Sequence, residues 1–294
     1  MSETQGARAG GGGNLDAATV ASFGDEWHRY DQTGLPEADL QDAFARYFSI
    51  FPWSQLPAGA EGFDMGCGSG RWAQLVAPRV GRLHCVDPSG PALAVARRNL
   101  AALGNVDFEQ AATGTTALGP GSQDFGYSLG VLHHIPDTAA ALRDCVRLLK
   151  PGAPCLVYLY YDFDNRPWWF RLVWKASELV RAVVCRLPAA LKPWPTTLLA
   201  VVVYWPLARW ALLLETLGLN VSNLPLSFYR DKSFYFMRTD SRDRFGTPLE
   251  RRFSRRAIAA MMAEAGLTDI AFRDSEPFWC AVGRRAGERD GARA

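Results

Sequence analysis

The sequence predicts a doubly wound α/β fold, a mostly parallel sheet flanked by helices, with a helical insertion after the fifth strand. Three observations predict it. Short apolar runs alternate with helical stretches at the pace of βαβ units. One of those runs ends in a glycine-rich turn that opens a helix. After a long interruption, a final helix and two apolar runs resume the regular pattern.

The elements read in order as follows. The segment MSETQGARAGGGGN lacks the apolar stretch of a secretory signal and is too poor in apolar side chains to order itself, so 1–14 is expected to be a disordered tail. Residues 15–57 carry aromatics at three-to-four spacing, among them Trp27 and Tyr30, and predict a helical lead-in or lid. Residues 58–161 hold GFDMG, helix RWAQLVAPRV, RLHCVD, helix PALAVARRNLAALG, VDFEQA, DFGYSLG, helix TAALRDCVRLLKPG and PCLVYLYY. Residues 162–245 lose the strand punctuation and form the insertion, 246–285 supply helix SRRAIAAMMAEAGL and two strands, and 286–294 are expected to be a second disordered tail.

Composition narrows the function classes. The 294 residues are 48% hydrophobic and 21% charged, enough for one large domain with an elaboration. With 32 basic against 30 acidic side chains, net +2, no overall field exists to hold a phosphate backbone, so nucleic acid is not an expected partner. Six scattered cysteines without a C-x-x-C pair, and no clustered zinc-type ligands, predict free thiols, a cytoplasmic setting and no metal site.

The sharpest signal is GFDMGCGSGRWA, in which Asp64 precedes Gly66, Cys67, Gly68 and Gly70 and a helix follows. Glycine is required where the backbone takes positive φ or a ligand approaches it closely, and a helix N-terminus offers unpaired N–H groups. The next apolar run ends at Asp87, where an acid can accept both hydroxyls of a ribose. The spacing is G-x-G-x-G, whereas a dinucleotide diphosphate calls for G-x-G-x-x-G. Asp64 would repel a diphosphate and could receive an ammonium group. The pattern therefore favours S-adenosylmethionine over a nicotinamide cofactor.

FDMGCGSGRWA, CVDPS and DFGYSLGVLHHIPDTAAALRDCVRLLKPGA resemble the class I S-adenosylmethionine-dependent methyltransferases, nearest the ubiquinone/menaquinone C-methyltransferase-like group. The resemblance covers about Phe63 to Leu159. It implies a Rossmann-like, seven-stranded sheet closed by a reversed hairpin. It also implies that Asp64, Gly66, Gly68 and Gly70 surround the methionine moiety, that Asp87 holds the ribose, and that Pro88 and Ser89 border the adenine. Where that family carries an acidic residue after the third strand, this sequence has Gln110, Ala111 and Ala112. Leu129 and Gly130, at the end of the fourth strand, complete the expected cofactor site.

His133 and His134 follow that strand and face the expected crevice. One reading makes either of them a base that deprotonates or orients the acceptor; the other makes them packing residues. Methyl transfer from a sulfonium needs little beyond alignment and desolvation, so a base is not obligatory. Tyr160 and Tyr161 stand at the sheet edge as further catalytic candidates, with Trp27, Tyr30, Asp162, Asn165, Arg166, Arg230 and Arg238 as acceptor-binding candidates.

Two readings fit the insertion. On a helix, Arg171, Lys175, Glu178, Arg181 and Arg186 fall on one face and Trp169, Val173, Ala176, Val180 and Val183 on the other. A lid would turn its apolar face onto the domain; a membrane-surface platform would turn it to lipid, giving a peripheral membrane association. The run TTLLAVVVYWPLARWALLLETLGL is broken by Pro206 and Arg209, leaving about 13 uncharged residues where a span needs about 20. The expected acceptor is a hydrophobic small molecule or a lipid-linked one. A soluble metabolite or sugar acceptor, a cofactor-binding protein without transfer activity, and self-association as a homodimer stay open.

Overall fold

The computed structural model describes residues 14–287. Both expected tails therefore lie, except for residues 14 and 286–287, outside the described residues. The helical lead-in forms α1 (Ala17–Arg29) and α2 (Glu37–Tyr47). Asp16 caps α1 by accepting the Thr19 N–H at 2.8 Å, which satisfies one of the free donors of the first turn.

The core follows as β1 (Glu61–Met65), α3 (Ala73–Val76), β2 (Arg82–Val86), α4 (Gly90–Asn99), β3 (Val106–Glu109), β4 (Phe125–Leu129), α5 (Thr138–Leu148) and β5 (Pro154–Tyr158). After the insertion come α10 (Arg255–Glu264), β6 (Leu267–Phe272) and β7 (Cys280–Arg285). The seven strands lie in the order β3-β2-β1-β4-β5-β7-β6, all parallel except β7, which runs antiparallel to both neighbours. The strand order reverses between β1 and β4, which opens a crevice at their C-terminal ends.

Because side chains alternate along a strand, the sheet feeds two cores. Leu83, Cys85, Phe125, Tyr127 and Leu156 pack with Phe44, Phe48 and Ala73 on one face. Phe63, Met65, Val86 and Val157 pack with Leu142, Ile258 and Met262 on the other. Gly62 and Gly126 are needed there for space, since a Cβ on either would meet the ring of Phe125 or Phe63 at 2.3 and 2.1 Å. All six cysteines are free thiols.

The insertion comprises α6 (Trp168–Val184), α7 (Pro193–Leu199), α8 (Trp205–Thr216) and α9 (Phe234–Gly246). Two expectations are corrected here. Pro206 and Arg209 do not break the apolar run. A π-helical stretch, Ala200–Tyr204, joins α7 to α8, and Pro193–Thr216 is one continuous helix of 24 residues, long and apolar enough by composition to cross a membrane. Pro206 follows directly on the π-helical stretch, whose altered hydrogen-bonding pattern accommodates its missing N–H, and Arg209 turns back to donate to the carbonyls of Arg230 and Lys232 at 2.7 and 2.9 Å.

The second correction concerns α6. Its polar residues divide: Arg171 and Lys175 are exposed, whereas Glu178 and Arg181 face the domain. Glu178 pairs with Arg244, and Arg181 donates to the Thr247 carbonyl at 3.0 Å. The apolar residues Leu172, Leu179, Val180 and Val183 are exposed, while Phe170, Val173 and Trp174 line a cavity of the domain, so α6 turns only part of its apolar surface inward.

Candidate active site

The β1 turn takes its shape from its glycines. Gly66, Gly68 and Gly70 have φ of +82°, +55° and +79°, a region that side chains with a Cβ rarely enter. A Cβ on Gly66 would stand 2.4 Å from Val131, and one on Gly68 would stand 2.9 Å from the Trp27 indole nitrogen. The turn is therefore both strained for any other residue and closely lined.

Asp87 ties this turn to the end of β2. One carboxylate oxygen accepts the Gly68 N–H at 2.9 Å and the other the Ser89 N–H at 2.8 Å. Burial pushes its carboxyl up to about 6, and the two N–H donors oppose that rise. Asp64 is buried beneath the turn, and its Oδ2 has no partner among the described residues. Burial pushes it up to about 8. A buried carboxyl behind a glycine cradle, with one oxygen unpartnered, fits an ammonium group reached through water.

Above these residues lies a cavity of about 470 Å³. It is lined by Gly66, Cys67, Gly68, Asp87, Pro88, Ala111, Ala112, Leu129 and Gly130, all expected cofactor contacts. Asp64 and Gly70 shape the turn from behind. Ser89 is corrected to a helix cap: its hydroxyl accepts the Ala92 N–H at 3.4 Å at the start of α4. Beyond the expected set, Thr113 lines the same end, and the Gln110 amide donates to the Pro88 carbonyl at 3.2 Å. Glycine cradle, ribose-type carboxylate and buried acid together fit S-adenosylmethionine.

A second set of residues lining the cavity was not singled out by the sequence reading. On α9, Phe236, Thr239, Asp240 and Asp243 line it, at the spacing that places residues on one helical face. The Tyr229 hydroxyl donates to Asp240 at 2.9 Å, and the Tyr160 hydroxyl donates to Asp243. Burial pushes Asp240 up to about 7, with Arg71 opposing and Asp243 adding to the rise. Asp243 is also raised by burial, against the pull of His134 and Tyr160. Glu26 of α1 lines the cavity with both carboxyl oxygens unpartnered, and burial raises it well above the carboxylate range. The one available sign was Asp240 and Asp243 three apart beside Phe236 and Thr239.

The catalytic candidates divide. His134 lines the cavity, with Nδ1 2.6 Å from the Leu249 carbonyl, which assigns the proton to Nδ1 and leaves Nε2 towards Asp243 at 3.8 Å. Tyr160 and Tyr161 also line it. His133 does not. It is fully buried, stacked 3.9 Å from the Tyr160 ring and 4.0 Å from His134, and burial holds it well below the ordinary imidazole range. It is corrected to a neutral packing residue.

Of the acceptor-binding candidates, Trp27 and Arg166 line the cavity; Arg166 is paired with Glu276 and bonded to the Ser222 carbonyl. The other five are corrected. Tyr30 is buried under the Arg238 guanidinium, 5.0 Å from its ring centroid. Arg238 stacks over that ring and does not line the cavity, and Arg230 pairs with Glu215 at 2.7 Å on the surface. Asp162 closes a local turn onto the Asp164 N–H at 3.1 Å, and Asn165 is exposed.

Residues 63–157 match the family described as Methyltransferase domain. Residues 63–157 thus resemble a methyltransferase domain. A ubiquinone biosynthesis O-methyltransferase of Thiobacillus denitrificans is 34% identical over 162 residues, covering 52% of this chain and 65% of that relative. The chain thus spans just under two thirds of the curated relative it matches. Among solved structures, a chain of the complex between a Haloferax volcanii methyltransferase activator and a methyltransferase has a TM-score of 0.52 at 14% identity, covering 92% of this chain and 98% of that one. The apo S-adenosylmethionine-dependent methyltransferase SibL has a TM-score of 0.50 at 17% identity, covering 84% and 55%. These structures share the fold of the methyltransferase domain.

The raised acids of this domain fix the sign of its pH dependence. Asp64 keeps its proton in the folded state up to about 8 and loses it near the ordinary carboxylate range when unfolded. Its stabilising contribution is complete at low pH and disappears as pH rises through about 8. The ligand-free protein is expected to melt at a lower temperature at pH 9 than at pH 6, and Asp64→Asn is expected to flatten that slope. A cationic ligand group favours ionised Asp64, so S-adenosylmethionine affinity runs the opposite way and strengthens with pH. Melting curves across pH with and without ligand check both signs.

Proposed function

We propose that this protein transfers a methyl group from S-adenosylmethionine to a hydroxyl on a hydrophobic acceptor. The observation that carries the reading is a single cavity lined by two kinds of chemistry: the glycine cradle with Asp87, and the carboxyls of Asp240 and Asp243 with the hydroxyls of Tyr229 and Tyr160. Phe163, Phe170, Trp174, Phe228 and Phe278 supply an apolar wall between the polar groups and the surface. The relative's printed name, an O-methyltransferase, supports the choice of a hydroxyl.

When bound, the sulfonium supplies an activated methyl. The chain does the remainder. Asp87 and the β1 turn orient the nucleoside, and the buried walls exclude water, which strengthens each polar contact inside. An acceptor hydroxyl donates to Asp240, whose carboxyl lies near neutrality and is matched to taking a proton at physiological pH. Asp243, held by Tyr160, keeps a second carboxyl close by, so that the pair shares protons more readily than either acid alone.

Incubation with methyl-tritiated S-adenosylmethionine and either an alkyl-chain catechol or catechol itself tests the reading. Label is expected in the organic phase with the alkyl catechol, at a kcat/KM at least about tenfold higher than with the bare ring, the order expected from burying a few methylenes. Equal transfer to both would remove the apolar wall from the account, and transfer to neither would remove the hydroxyl.

A further inference from the structure

The long helix Pro193–Thr216 is amphipathic in an unusual sense. Its inward stripe is Thr196, Ala200, Tyr204, Ala208 and Ala211, all buried. The Ser241 hydroxyl donates to the Thr196 carbonyl at 2.8 Å, and Lys192, just before the helix, donates to the Gly246 carbonyl at 2.7 Å. The helix is thereby fastened along α9. Its outward side shows Trp194, Leu198, Val201, Val202, Trp205, Trp210 and Leu213, and no exposed position from 193 to 214 is charged. Trp194 is 78% exposed.

Such a continuous apolar face on one side of a soluble domain is far larger than scattered surface leucines produce. Helix α6 adds Trp168 and Leu179, 72% and 73% exposed, and the exposed cations Arg171 and Lys175, with exposed Arg186 in the turn after it, while its acid Glu178 is turned inward and paired. Indole rings at the rim and cations beside an apolar face match the layers of a bilayer surface, where rings sit at headgroup depth and Arg and Lys reach anionic phosphate. Fastening along α9 places this helix on the domain, which suits a surface seat rather than a span. The two helices also border the cavity: Val173 and Leu207 line it and are 51% and 41% exposed.

We infer that the outward faces of α6 and Pro193–Thr216 seat in the surface of an anionic lipid bilayer, with the cavity mouth at Val173 and Leu207 open to the acyl region. The entry route rests on the methyltransferase reading above; the docking does not. A hydrophobic acceptor then passes from lipid to the carboxylates of α9 without crossing water.

The test uses the full chain and vesicles of phosphatidylcholine with or without phosphatidylglycerol, so its outcome is independent of cofactor or acceptor. Co-sedimentation with the anionic vesicles is expected, falling roughly tenfold or more in V202E/W210E, whose circular dichroism stays that of the parent. Absence of sedimentation with both vesicles overturns the docking. So does a stable dimer, measured by analytical ultracentrifugation, that persists with vesicles present and is abolished by the same substitutions; that result assigns the face to a second copy. For the mouth, a bimane label on Leu207→Cys, in a Cys185→Ala background that leaves only buried cysteines, is expected to be quenched by acyl-brominated lipid. An unquenched label on sedimented protein places the mouth in water and overturns the entry route.

Discussion

Replacing Asp87 with alanine is expected to weaken S-adenosylhomocysteine binding by roughly 10²- to 10⁴-fold. The carboxylate accepts the Gly68 and Ser89 N–H groups and still has lone pairs facing the cavity, where two ribose hydroxyls would donate. Hydrogen bonds to a charged group contribute about 1.5–3 kcal/mol each, and about 1.4 kcal/mol is a factor of ten. Two lost ribose bonds account for the range, and the released turn adds to it. Asp87→Asn separates the two parts. An amide oxygen can still accept one N–H, so the fold of the turn is expected to survive better than binding does. Calorimetric titration with a melting curve on each variant checks the order: parent, then Asn, then Ala, in affinity.

Replacing Asp240 with asparagine is expected to lower methyl transfer by roughly 10²- to 10⁴-fold while leaving S-adenosylhomocysteine affinity within about twofold, because its work lies at the acceptor end. The pH profile carries the diagnostic information. With the Asp240 carboxyl near 7, kcat of the parent should rise as pH passes through that value and level off above it. Asp243→Asn should act more mildly and shift the rise to lower pH, since removing a neighbouring negative charge lets Asp240 ionise more easily. Tyr229→Phe removes the hydrogen bond that holds the Asp240 carboxylate and should shift the rise upward. A merely structural role for Asp240 would lower both binding and turnover and move no pH profile.

The parts of this molecule that were legible in its sequence are those decided locally. The β1 turn announces itself because Gly66, Gly68 and Gly70 need positive φ and closeness, and no other residue type meets both needs. The sheet was legible because strand and helix alternate in chain order. The acceptor end was not, because Asp240 and Asp243 reach the cavity from a helix whose nearest strand lies far away in sequence, and their partners Tyr229 and Tyr160 come from two further segments. Periodicity set a polar side of α6 against an apolar one, whereas the folded helix exposes Arg171 and Lys175 together with Val180 and Val183 and turns Glu178 and Arg181 inward. That choice was made by Arg244 on α9, which draws Glu178 inward. Arg209 misled for a related reason: a charge within an apolar run reads as a break, whereas here it is spent on the carbonyls of Arg230 and Lys232 and leaves the outward face uncharged as far as residue 214.

The cavity's identity as a cofactor and acceptor site is tested most directly by calorimetric titration of the full chain with S-adenosylhomocysteine and, separately, NADH. The account predicts micromolar binding of the first, stronger at pH 8 than at pH 6 because its ammonium group favours ionised Asp64, and no heat with NADH. Binding of NADH, or failure of S-adenosylhomocysteine to bind a folded protein, would contradict it.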